Sequence, residues 1–217
     1  MIVAEFVVVV IIGYLLGAIP FGLVIGRLVK GVDVRHYGSG RTGATNVMRA
    51  VGTKFGVLTI ALDLGKAIGA VVLAKVIIGD SFVSLGGFPL HWQVAQVMSG
   101  VAVVVGHNWP VFAKFKGGRG VTTFFGTMFA IYPPAALFGT EIWATVALGS
   151  KYMSLGSILG VAATWCLMIP LTIAYDLPPI YLAYGLAAMA LVIYQHRDNI
   201  SRLRHGKERR LGEKARG

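Results

Sequence analysis

Charge is scarce in this 217-residue chain, where Asp, Glu, Lys and Arg together make up 13%, about half the share usual in a soluble domain. Apolar residues supply 56% and mean hydropathy is +0.73. Water is therefore not the main solvent, and the same apolar content excludes a disordered chain. Cysteine is nearly absent. The single Cys166 excludes a disulfide-stapled fold, and the 29 glycines lack the three-residue period of a collagen-like fibre. What remains is an all-α, polytopic membrane helix bundle. At about 20 residues per crossing, residues 1–217 form a single integral membrane domain of several spans and short loops. Any chemistry must sit in those loops or at helix ends.

Acid is the scarcer charge: 9 Asp and Glu against 20 Lys and Arg leave a net +11. No basic stretch is interleaved with aromatics for base stacking, so nucleic acid is not the expected partner. The excess is expected instead from the positive-inside bias and from anionic head groups of membrane lipid. The N-terminus carries no basic signal-peptide region, and the apolar run 2–26 continues without a cleavage site, so it is expected to be a retained helix.

Apolar runs bounded by charge, glycine and proline predict spans at 2–26, 55–79, 92–106, 121–149, 153–174 and 178–194. Pro133 and Pro134 remove consecutive backbone donors and should divide the fourth run. Basic residues cluster in 27–54, in 114–119, at Lys151 and in the tail from Arg197, whereas the linkers 80–91 and 175–177 contain none. Six crossings would place these clusters on both faces. Counting the proline pair as a reversal gives about seven membrane segments, one basic face, an outside N-terminus and a cytoplasmic C-terminus. The pairs Gly13/Gly17, Gly22/Gly26, Gly65/Gly69 and Gly156/Gly160 are expected to mark close helix packing.

Three polar segments interrupt the apolar pattern on the basic face. The first, 38–49 (GSGRTGATNVMR), offers glycine backbone to an anion, the forked donor of Arg49, and neutral hydrogen bonds from Ser39, Thr45 and Asn46. Its GxGxxG spacing lacks the βαβ unit of a dinucleotide site. The second, 106–120 (GHNWPVFAKFKGGRG), sets Lys116 and Arg119 among glycines that open into a helix near Val121, an arrangement suited to phosphate. The third, 196–208 (HRDNISRLRHGKE), places His196 and Asn199 on one helix face. A basic interfacial loop or lipid-binding tail is the alternative for each segment taken singly.

Within the spans, Asp63 and Lys66 are three apart and are expected to form a structural ion pair, while Glu141 stands alone. The five histidines lack zinc-type spacing, so no metal is expected. A GxSxG elbow and a local His-Asp acyltransfer pair are both missing.

Together the three segments, in this order, resemble the bacterial membrane glycerol-3-phosphate acyltransferase family that uses acyl-phosphate as donor. The family pattern has Asn where this chain has Arg41, and commonly Lys where it has Arg119. The resemblance implies transfer of a fatty acyl group from acyl-phosphate to the sn-1 hydroxyl of glycerol 3-phosphate, giving lysophosphatidic acid and phosphate. It implies activity roles for Ser39, Arg49, His196 and Asn199, a phosphate-binding loop containing Gly117, Gly118 and Gly120, and a structural role for Glu208. Gly40, Thr45, Asn46, Lys116 and Arg119 join the expected phosphate contacts. No cofactor and no obligate protein partner are implied, and the expected location is the bacterial cytoplasmic (inner) membrane with the site facing the cytoplasm.

An acyl-phosphate is already activated, so alignment and charge stabilisation can carry most of the catalysis. His107, His196 or a substrate phosphate could each accept the proton of the attacking hydroxyl; the resemblance favours substrate assistance without an acyl-serine. An anion or phospholipid transporter is the competing reading. Its binding groups should lie near the bilayer midplane on broken helices, whereas these motifs gather on one face.

Overall fold

The computed structural model describes residues 2–85 and 88–213; Lys214 and Arg216 of the basic tail lie outside them. The helices are α1 (Ile2–Ala18), α2 (Phe21–Lys30), α3 (Ala44–Ala50), α4 (Thr53–Ile78), α5 (Trp92–Asn108), α6 (Val121–Ile131), α7 (Pro133–Ser150), α8 (Met153–Ala174), α9 (Ile180–Gln195) and α10 (Arg197–Arg204). Short antiparallel strands, β1 (Val83–Leu85) and β2 (Phe88–Leu90), pair in the linker between α4 and α5, which the sequence had presented only as a loop without basic residues. Three stretches are long and apolar enough to cross a membrane by themselves: Ile2–Lys30 taken together, α4 and α8.

The first span is not one helix. Pro20 brings no N–H to the helical ladder, so α1 ends at Ala18 and α2 starts at Phe21. The second proline site behaves as expected. Helix α6 ends at Ile131, and Pro133 and Pro134 fill the first turn of α7, where a missing donor is harmless. Gly120, just before α6, lines the functional cavity described below, while Leu211 of the tail donates to Lys151 O just after α7. The start of α6 and the end of α7 therefore share the basic end, and the proline junction is a reversal.

At the other end, Phe6 of α1, Ile78 of α4 and Ala95 of α5 form one apolar cluster with Leu90 and Trp92 around it. Tyr181 Oη donates to Gln96 Oε1 at 3.0 Å, placing the start of α9 there as well. A larger core of Phe124, Met128, Val161, Met168, Tyr184 and Val192 joins α6, α8 and α9.

Close packing by small residues holds for three of the four glycine pairs. A Cβ on Gly13 or Gly17 would overlap the backbone of Ser99 or Val103, so these glycines let α1 lie directly on α5. Gly22/Gly26 and Gly156/Gly160 are equally confined. Gly65 and Gly69 face open space instead, because α4 turns its other side, with Asp63, Lys66, Ala67 and Ala70, to the bundle.

Asp63 and Lys66 pair at 2.7 Å, both buried, as their spacing predicts. Removing either partner would leave a buried charge, a loss of about 3–5 kcal/mol. Glu141 is exposed on the outer side of α7, and Cys166 is a free, exposed thiol.

Candidate active site

The three polar segments converge because each is tied to another by hydrogen bonds. Thr42 N donates to Gly117 O at 3.4 Å, joining the first segment to the second, and the Arg35 guanidinium, just before the first segment, donates to Ala113 O at 2.9 Å. Arg119 Nε donates to Gln195 O at 3.2 Å, beside His196, joining the second to the third. Arg49 Nη2 donates to Arg210 O at 3.3 Å, just beyond the third segment, and closes the ring. A cavity lies inside. Ser39, Thr45, Asn46, Arg49, His107, Gly118, Arg119, Gly120, His196, Asn199 and Glu208 all line it.

In the first segment, Asn46 is fully committed to the loop. Its amide donates to Val34 O at 2.7 Å and Arg41 O at 2.8 Å, and its Oδ1 accepts from Ser39 N at 3.0 Å, which fixes where the Ser39 side chain begins. The turn itself needs Gly40, whose φ is +68°. Helix α3 then carries Thr45 and Arg49 to the cavity wall. Arg49 Nε is buried and has no acceptor among the described residues. Burial lowers the Arg49 pKa, and Arg49 borders the cavity with that donor uncommitted.

The second segment departs from the simplest picture of a glycine loop. Gly117 N donates to Asn108 O at 3.2 Å and Gly118 N to His107 O at 3.0 Å, so both amides hold the loop against the end of α5 and are withdrawn from a ligand. The glycines are needed for that closeness: a Cβ on Gly117 would overlap His107 O, and one on Gly118 would overlap the His107 ring. The first turn of α6, beginning at Val121 just after Gly120, retains the free N–H groups and positive dipole end that suit an anion. Arg119 is mostly buried; burial, then repulsion from Arg41 and Arg202, pulls its guanidinium down to about 10, still charged at neutral pH. Lys116 is exposed and does not border the cavity, and neither does Gly117.

The third segment supplies acceptors. His196 Nδ1 lies 2.8 Å from Val192 O, which can only accept, so the proton is on Nδ1 and the Nε2 lone pair is free. Burial, then the Arg119 charge, lowers His196 to about 4, so it is neutral at physiological pH. Asn199 Nδ2 donates to Glu208 Oε1 at 2.6 Å. Because that carboxylate only accepts, Asn199 Oδ1 is the atom left unpartnered among the described residues, and it is buried. Glu208 also accepts from Ser154 Oγ at 2.9 Å and Arg202 Nε at 2.8 Å, fastening the tail to α8.

The cavity is two-sided chemically. Its charged part continues into a wall of Ile60, Leu64, Phe125, Phe129 and Trp143 from α4, α6 and α7. Among further polar side chains that border it are Arg41, where the family pattern has Asn, and Arg209, Ser154, Ser157, Thr122 and Thr140. Arg209 had a signal, since it adjoins Glu208; Ser154 had none, because only the folded tail brings Glu208 to it. No cluster able to hold a metal ion occurs among the described residues.

Residues 7–206 match the model of the family described as glycerol-3-phosphate acyltransferase. A relative from Dehalococcoides mccartyi, glycerol-3-phosphate acyltransferase 3, is 48% identical over 216 residues, covering 100% of both chains. The glycerol-3-phosphate acyltransferase of Aquifex aeolicus is 42% identical, covering 93% of this chain and 97% of its own. Crystal structures of PlsY (YgiH), an integral membrane glycerol 3-phosphate acyltransferase, are similar in their glycerol 3-phosphate and lysophosphatidic acid forms, with TM-scores of 0.82 and 0.80 at 40% identity. Each spans 95% of this chain; 96% and 95% of those chains are covered. With a helical membrane bundle and three ordered motif segments closing on one cavity, the chain belongs to the glycerol-3-phosphate acyltransferase family.

Proposed function

We propose that the chain transfers a fatty acyl group from acyl-phosphate to the sn-1 hydroxyl of glycerol 3-phosphate, releasing lysophosphatidic acid and inorganic phosphate. The observation that carries this reading is a cavity with Arg49, Arg119 and Arg41 at one part and an apolar wall at the other. A soluble phosphorylated alcohol needs only the first part; an acyl-phosphate needs both. A transporter would place its binding groups near the bilayer midplane, whereas these cations belong to loops and helix ends at the basic end of the bundle.

The reaction forms a bond between the glycerol oxygen and the acyl carbonyl carbon, and breaks the bond from that carbon to the phosphate oxygen. The hydroxyl proton leaves on the departing phosphate. Neutral His196 Nε2 and Asn199 Oδ1 accept hydrogen bonds and can orient the attacking hydroxyl. With its pKa near 4, His196 is a poor base, and a phosphate monoester with a second pKa of about 6 is the better proton sink. This supports substrate assistance. Arg49 and the start of α6 carry the phosphate charge, Ser39 contributes a hydroxyl at the cavity wall, and Thr45 joins it.

The basic end, with 27–54, 114–119, Lys151 and the tail, is assigned to the cytoplasmic side of the inner membrane. The hairpin end and the N-terminus are assigned to the outside. No cofactor or obligate protein partner enters this scheme. The test uses detergent-purified protein with a long-chain acyl-phosphate and sn-glycerol 3-phosphate. Equimolar lysophosphatidic acid and phosphate are expected, and acyl-CoA or acyl-carrier-protein thioesters should give none. Turnover of a thioester in place of acyl-phosphate, or no product from folded protein, would contradict the proposal.

A further inference from the structure

Lys66 hydrogen-bonds two groups and faces a third as an ion pair. Its Nζ lies 2.7 Å from Asp63 Oδ1, 2.9 Å from Ile19 O at the break before Pro20, and 3.2 Å from His107 Nδ1. Ile19 O and His107 Nδ1 are its hydrogen-bond partners, while the Asp63 carboxylate faces it without hydrogen-bond geometry; an ammonium has no lone pair, so both partners must accept. His107 Nδ1 must then be bare and Nε2 must carry the ring proton. The other neutral tautomer would aim Nδ1–H at Asp63 Oδ1, 3.5 Å away, while setting that hydrogen against the Lys66 hydrogens at shorter range. A doubly protonated ring would likewise set an N–H, not an acceptor, against Lys66 Nζ.

The Nε2 side of the ring faces the second segment. His107 borders the cavity with Gly118, Arg119 and Gly120, and Gly118 lies so close to Nε2 that a methyl group there would overlap it. The Gly117 and Gly118 amides are already used by the α5 carbonyls. The ring therefore stands where the loop's own donors have been withdrawn.

From these contacts we infer that His107 is a fixed, neutral hydrogen-bond donor through Nε2 to a phosphoryl or acyl-carbonyl oxygen bound in the cavity. Lys66 and Asp63 act as the positioning residues that hold its tautomer. This assigns His107 a role opposite to proton acceptance, because its bare nitrogen faces Lys66. The donor role rests on the reading of the cavity as an acyl-phosphate site; the tautomer itself does not.

The experiment separates the two. Full-length protein labelled with nitrogen-15 histidine is placed in micelles at neutral pH without substrate, and His107 is assigned by the signal lost in His107→Gln. The ring should show a bare Nδ1 and a protonated Nε2; a bare Nε2 or an imidazolium would overturn the inference, whatever the enzyme's activity. In Lys66→Met the proton should move to Nδ1, toward Asp63, and an unchanged ring would refute the positioning role. If that variant does not fold, the wild-type spectrum still decides. In activity, His107→Ala should lose about 100-fold in kcat/KM, the scale for one oriented donor, while His107→Gln, whose amide can donate, should stay within about tenfold of wild type. Equal losses in both variants, or no loss in His107→Ala, would overturn the donor role.

Discussion

His196 and His107 border the same cavity, and each has its Nδ1 fixed from behind by a group of opposite character. Val192 O can only accept, so His196 carries its proton on Nδ1 and offers a lone pair at Nε2. The Lys66 ammonium can only donate, so on our inference His107 offers Nε2–H instead. Two identical side chains thus acquire complementary roles from one backbone carbonyl and one buried cation. An imidazole's function is set as much by its second nitrogen as by its place in the site.

The largest effect expected on this contrast is from His196→Ala, which removes the acceptor. We expect kcat to fall about 100-fold or more, with thermal stability checked alongside the rate. A fall in kcat with KM for glycerol 3-phosphate nearly unchanged would show that the lone pair matters at the reacting atoms. Gly118→Ala sharpens the other side. The new methyl must displace the His107 ring or the loop, and initial rates should show KM for acyl-phosphate rising roughly tenfold, equivalent to about 1.4 kcal/mol.

A smaller effect follows from pH. Burial, then Arg119, depresses His196 to about 4, whereas an unfolded histidine titrates near 6.5. The unfolded chain therefore binds the extra proton first, so this contribution to stability is complete above about 6.5 and is lost as pH falls through about 4. In a nitrogen-15 titration the His196 ring should remain neutral at pH 5; a midpoint near 6.5 would remove the argument that it is a poor base. The smallest effect is expected from Glu208→Gln, which keeps a carbonyl acceptor for one neighbour and loses the charge opposite Arg202. Thermal unfolding should show a loss on the order of 1 kcal/mol, smaller than for Glu208→Ala, which leaves Asn199 Nδ2 unpaired.

The sequence carried the bundle, the proline reversal and the convergence of three segments, because each of these leaves a local mark: a long apolar run, a Pro-Pro pair, a glycine-rich basic stretch. It did not show that Pro20 divides the first span, since an apolar run on both sides of a proline reads the same whether the helix bends or stops. Gly65 and Gly69 have the right spacing and face open space, because spacing does not tell which side of a helix meets a neighbour. Gly117 and Gly118 are informative in sequence, but that their amides are spent on α5 depends on contacts with His107 and Asn108. Asp63 and Lys66 were legible as a pair; their reach to His107, 41 positions beyond Lys66, was not.

In the proposed function, acyl-phosphate and glycerol 3-phosphate occupy one cavity together and exchange the acyl group directly. Initial rates with both substrates varied test it most directly. Double-reciprocal lines that intersect, with no acyl group retained on Ser39 after a single turnover without glycerol 3-phosphate, are the predicted result. Parallel lines with a trapped acyl-enzyme would show two separate half-reactions and contradict the account.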